Sequence, residues 1–119
     1  MRFSGPLKEN YMFRRLYNRG TSAANSHLVL YVRRNGTTKN RVGITVSGKL
    51  GNAVKRNLIR RRLREIYRTN EDRFAPGWDL IVVARTRAMT AEFSKLQRAY
   101  LSLAGKLNVL KQEEPKNNG

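Results

Sequence analysis

Apolar positions recur along the chain in two rhythms, one near three and four residues and one near two. The helical rhythm is longest from about Asn52 to Arg68, where Ile59, Leu63, Ile66 and Tyr67 gather on one arc at ~100° per residue. It predicts a long helix buried along one stripe. A shorter amphipathic helix is predicted to begin near Asn10, a suitable N-cap, and to run through Tyr11, Met12, Phe13, Leu16 and Tyr17 to Gly20, read as a C′ glycine. A last helix, Thr90 to about Leu107, carries Phe93, Leu96, Tyr100, Leu103 and Leu107 at spacings of three and four.

The strand signals lie between these helices. After a loop from Thr21 to Ser26, the run from His27 to Arg33 is rich in strand formers. A polar connection from Asn35 to Asn40 then leads to an alternating run from Arg41 to Ser47, which predicts an antiparallel hairpin. Past the Pro76-Gly77 break, Asp79 to Arg85 is almost continuously apolar, as in an interior strand covered on both faces. Met1 to Lys8 reads as an irregular lead-in and Lys111 to Gly119 as a disordered tail, with a further short strand expected near Ser47 or in the lead-in. The order predicts one α+β sandwich domain over residues 1–110, with a strand-helix-strand crossover from Arg41 to Asp79 that generic rules make right-handed.

Charge turns this outline toward a partner. Lys and Arg number 25 against 8 Asp and Glu, a net charge of +17 in 119 residues, far beyond what solubility requires. On the long helix Arg56, Arg60, Arg64 and Arg68 stack at i, i+4, with Asn57 and Arg61 in the adjoining row. Like charges at that spacing repel unless an anion faces them, and a phosphate backbone is the expected anion. Gly48 and Gly51, flanking Lys49, are expected to leave backbone amides free for a phosphate at the helix start. No apolar run approaches the ~20 residues of a membrane span. The N-terminus, without an apolar leader core, reads as mature protein, and the absence of cysteine removes disulfide, thiolate-metal and cysteine-nucleophile chemistry.

Candidate chemistry within the chain is thin. Glu9, Glu65, Glu71, Asp72, Asp79, Glu92, Glu113 and Glu114 show no ligand spacing of the kind that two-metal phosphodiester cleavage needs, and His27 has no cysteine or carboxylate cluster beside it. A DNA-reading basic helix would need a heptad segment or a helix-turn-helix pattern, and neither is present. Phe13 and Tyr17 share one face of the first helix, either as core packing or as a stacking platform for bases, and Tyr31 is either half-buried or part of a binding face. A general RNA-binding or ribosomal-type protein therefore stays open on composition.

The runs Arg41-Val42-Gly43-Ile44-Thr45-Val46-Ser47, Gly51-Asn52-Ala53-Val54-Lys55-Arg56-Asn57 and Arg60-Arg61-Arg62-Leu63-Arg64-Glu65 resemble the signature of the bacterial ribonuclease P protein subunit. The likeness extends to Gly20, Asn25 and the DLIVVAR run, roughly Leu7 to Leu103. It implies a ribosomal-protein-like two-layer sandwich with an about four-stranded mixed sheet and a left-handed crossover. It also implies a protein that assists a catalytic RNA, which uses magnesium to remove the 5′ leader of precursor tRNA, with one protein per RNA in the bacterial cytoplasm. By the same resemblance Arg56, Asn57, Arg60, Arg61, Arg64, Arg68, Lys49 and Lys55 face the catalytic RNA, Phe13, Tyr17 and Tyr31 receive the leader, and no side chain is catalytic or holds metal. Two positions depart from the pattern: Leu58 stands where the motif usually has a third basic residue, and Gly48 where a second lysine beside Lys49 is common.

Overall fold

The computed structural model describes residues 4–112 as a five-stranded mixed sheet with three helices. In chain order these are β1 (Ser4–Pro6), α1 (Asn10–Arg19), β2 (Thr21–Ala24), β3 (Leu28–Arg34), β4 (Asn40–Thr45), α2 (Ala53–Asn70), β5 (Trp78–Ala84) and α3 (Phe93–Lys106). The sheet runs β1-β4-β5-β3-β2. Most of the segment expected to be a disordered tail lies outside the described residues, but Lys111 still belongs to the fold through its amide, 2.7 Å from the Arg73 carbonyl.

β5 is the centre, as its continuous apolar run demands. Leu80, Val82 and Ala84 join the main core beneath α2 and α3, while Ile81 and Val83 meet α1 on the opposite face. The same alternation splits β3, with Leu28, Leu30 and Val32 in the main core and Tyr31 toward α1. From α2, Ile59, Leu63, Ile66 and Tyr67 are buried, the arc read from the sequence. α1 needs little to seat it: Leu16 is fully buried and packs with Leu7 and Ile81.

The expected hairpin between the strands at His27 and Arg41 does not form. β5 inserts between them, antiparallel to β3 and parallel to β4. A strand that is apolar on both faces gains most at the centre, and the connection after β3 is long enough to arch over its end. Asn35 holds that arch: its amide donates to the Gly77 carbonyl (2.9 Å), and its side chain donates to Lys39 O (2.8 Å) and Asp79 Oδ1 (3.0 Å). Asn-Gly here marks a bridge across a strand.

Three smaller expectations also change. Thr21 to Ala24, read as loop, is the edge strand β2, because pairing with β3 outweighs the weak strand preference of Thr-Ser-Ala-Ala. The lead-in contributes β1, parallel to β4, one of the two places expected to hold a further short strand. Gly20 is extended at φ −77° rather than left-handed; its reason is space, since a Cβ there would lie 2.5 Å from the Leu16 carbonyl oxygen. Asn10 is the first helical residue, and Glu9 occupies the cap without a side-chain bond.

Candidate nucleic-acid interface

On the α1 face of the sheet three aromatic rings form a connected set. Tyr17 meets Tyr31 edge to face at 4.9 Å between centroids, and Phe13 lies 6.4 Å from Tyr17. Tyr17 is 39% exposed and its hydroxyl is bonded to Thr45 Oγ1 at 3.0 Å, so the ring is fixed yet open to solvent. Phe13 is half-buried because Gly43 of β4 leaves room beneath it: a Cβ at Gly43 would sit 2.7 Å from the ring's Cζ. A lone glycine within a strand run was the signal for that close approach. The rings therefore pack and remain accessible at once.

Beside them Arg41 spans to Asp79 in two bonds, Nε to Oδ1 at 2.7 Å and the second guanidinium nitrogen to Oδ2 at 2.8 Å. The two residues are register neighbours on β4 and β5, and Arg41 also reaches Met12 Sδ at 3.7 Å, tying α1 to the sheet. Periodicity alone did not expose this pair, because it depends on β4 lying next to β5.

The basic row lies on α2. Asn52 caps the helix by accepting from the Lys55 amide (2.9 Å), and Ser47 accepts from the Lys49 amide (3.2 Å). Two of the amides expected to await a phosphate are thus already satisfied, while the side chains of Lys49 and Lys55 remain exposed. Arg56 bonds the Gly51 carbonyl at 3.2 Å, and Arg60 donates to Asn57 Oδ1 (3.0 Å) and to the Val46 carbonyl (3.4 Å). These contacts orient the guanidinium groups and leave further donors on each. Arg61 and Arg64 are exposed. Arg68 is paired with Glu65, and the bond it donates, with its charge, holds that carboxyl below its usual value. Of the expected row, Arg68 is the one whose charge is answered among the described residues.

The aromatic set and the basic row meet around the edge of β4. β1 covers only Asn40, Arg41 and Val42, so beyond Val42 the strand's edge is open. There a cavity of about 210 Å³ is lined by Phe13 from one face of the sheet, Gly43 and Ile44 from its edge, and Arg60 and Arg64 from α2 on the other face. A second cavity, about 290 Å³, is lined by Glu71 and Asp72 together with Tyr67, Asn40 and Lys111. Among the described residues no group of three potential metal-ligating side chains gathers, and no helix is long and apolar enough to cross a membrane.

The family model for Ribonuclease P matches residues 1–108. The ribonuclease P protein component of Natranaerobius thermophilus is 43% identical over 106 residues, covering 89% of this chain and 92% of that protein. That of Lachnoclostridium phytofermentans is 38% identical over 115 residues, 97% of this chain and 99% of the relative. Among solved structures, the Staphylococcus aureus RNase P protein superposes with a TM-score of 0.82 at 34% identity, covering 92% of this chain and 98% of that one. The Thermotoga maritima RNase P protein gives 0.77 at 30% identity, with coverage of 92% and 98%.

Proposed function

Because this chain belongs to the ribonuclease P protein family, we propose that α2 docks on the catalytic RNA of that ribonucleoprotein while the aromatic cleft guides the single-stranded 5′ leader of precursor tRNA. The chain is a subunit of a tRNA-processing holoenzyme with an RNA partner. The observation that carries the finer reading is the shared cavity, in which Phe13 meets Arg60 and Arg64 around the β4 edge. A strand of nucleic acid lying there has a ring for stacking its bases and guanidinium groups for its phosphates within one site.

In this reading Arg56, Asn57, Arg60, Arg61 and Arg64, with Lys49 and Lys55 at the start of the helix, contact the catalytic RNA. Phe13, Tyr17 and Tyr31 receive the leader. Arg68 contributes less, since Glu65 already holds it. Among the described residues the carboxylates do not converge on a magnesium site, and the reading assigns magnesium and bond cleavage to the RNA. One protein per RNA, in the bacterial cytoplasm, completes the assignment.

Reconstitution tests it. Added to a bacterial ribonuclease P RNA at low magnesium, the protein is expected to permit leader removal where equally basic control proteins do not. Cleavage of precursor tRNA by the purified protein alone would overturn the division of labour. Replacing Phe13 and Tyr17 with Leu is expected to weaken binding of precursor tRNA more than of mature tRNA; equal losses would return both rings to a packing role.

A further inference from the structure

The exposed surface of α2 has a second flank, about 160° around the helix from Arg60, that the cleft and the basic row leave unexplained. There Leu58 is 41% exposed and Val54 78%, on the row that continues to Arg62. Leu58 does not stand alone. It forms one wall of a groove of about 360 Å³ against the connection between β5 and α3, where Met89 lies opposite and Lys55, Arg62 and Glu92 form the rim. Arg62 is held along this groove by its bond to the Ala91 carbonyl at 3.3 Å.

We propose that this groove receives one unpaired nucleobase of the catalytic RNA. Leu58 and the thioether of Met89 offer an apolar seat for the ring, and sulfur packs well against π-faces. Lys55 and Arg62 flank the seat where the phosphates on either side of an extruded nucleotide would pass. Glu92 accepts a hydrogen bond and donates none, which favours a base with an exocyclic amino group, adenine, cytosine or guanine, over uracil. Charge selects the occupant: at +17, with two cations on the rim, a second copy of this chain would be repelled and a polyanion attracted. The inference rests on the reading of α2 as the RNA-facing helix, with the exposed Arg61 lying between the basic row and the groove around the helix.

The test compares Leu58→Ala, Met89→Ala and Arg60→Ala bound to a bacterial ribonuclease P RNA across a salt series. Each apolar truncation is expected to weaken binding about three- to tenfold with the salt slope unchanged, whereas Arg60→Ala flattens the slope. Probing of Watson–Crick edges, with dimethyl sulfate for adenine and cytosine and kethoxal for guanine, should find one such base protected in the wild-type complex and reactive in the Leu58→Ala complex. The chain has no cysteine, so a photo-cross-linker attached to a Leu58→Cys variant reports from this one position, and it should capture that nucleotide. If Arg60→Ala weakens binding while both apolar truncations leave affinity and protection intact, the groove proposal falls and the RNA-facing helix stands. If all three bind like the wild type, that reading of α2 fails as well. Cross-linking of protein to protein, with self-association lost in Leu58→Ala, would make the groove an interface between copies and overturn the proposal.

Discussion

Tyr67 and Tyr100 are both buried beneath the sheet and differ in what their hydroxyls find. Tyr67 is bonded to Ser4 Oγ at 2.7 Å and accepts from Asn40 Nδ2 at 3.2 Å, while among the described residues the Tyr100 hydroxyl has no hydrogen-bond partner. Removing a satisfied hydroxyl costs about 1 kcal/mol and leaves its partners unpaired; removing an unsatisfied one costs nothing. Tyr67→Phe is therefore expected to lower the urea midpoint, and Tyr100→Phe to leave it unchanged or raise it. Burial pushes both phenols above their ordinary value of 10.0. A raised folded-state value contributes stability below pH 10 that is lost as the pH climbs beyond it, so Tyr100→Phe should shift alkaline unfolding upward. An unmoved alkaline midpoint would mean that other groups govern that transition. At Gly43 the issue is space: an alanine Cβ would press on Phe13 at 2.7 Å and is expected to destabilise the fold by about 1–3 kcal/mol. A double-mutant cycle with Phe13→Leu should recover most of that loss, and strict additivity would disprove the contact.

At the scale of elements, α2 was legible because two independent patterns agree on it. Its apolar arc reappears as the buried residues Ile59, Leu63, Ile66 and Tyr67, and its arginines lie outside that arc. Replacing Arg56, Arg60 and Arg64 together with Ala is expected to flatten the salt slope of RNA binding by up to about one unit per lost phosphate contact. Arg68→Ala should change the slope less than Arg64→Ala, because Glu65 already neutralises Arg68; equal effects would mean that the ion pair opens on RNA. Strand pairing was far less legible. Alternation in the runs at His27 and Arg41 says which face each residue takes and nothing about which neighbour the strand chooses. The Asn35-Gly36 turn signal therefore suggested a hairpin where β5 intervenes.

For the whole molecule, +17 on 119 residues is a standing repulsion that bound anions relieve. Sulfate is expected to raise the thermal midpoint above that in chloride of equal ionic strength, since ligands that bind only the folded state add stability. Matching midpoints in the two salts would show screening without binding sites. The cavity at the β4 edge belongs to this scale too. Its ring and its guanidinium groups come from helices on opposite faces of the sheet, which meet only because β1 stops at Pro6.

Local chemistry carried by single segments was readable without coordinates. The helix periodicities, the two-sided burial of β5 and the charge row on α2 each depend on residues close in sequence. The family signature likewise sits in contiguous runs. Tertiary structure alone decided that β5 divides β3 from β4, that Thr21 to Ala24 forms an edge strand, and that Phe13 lines one cavity with Arg60 and Arg64 around an open strand edge. The physical reason is common to the strand order and the shared cavity. A helix or an alternating strand reports its own faces through its period, whereas the neighbour it takes depends on how distant segments bury one another.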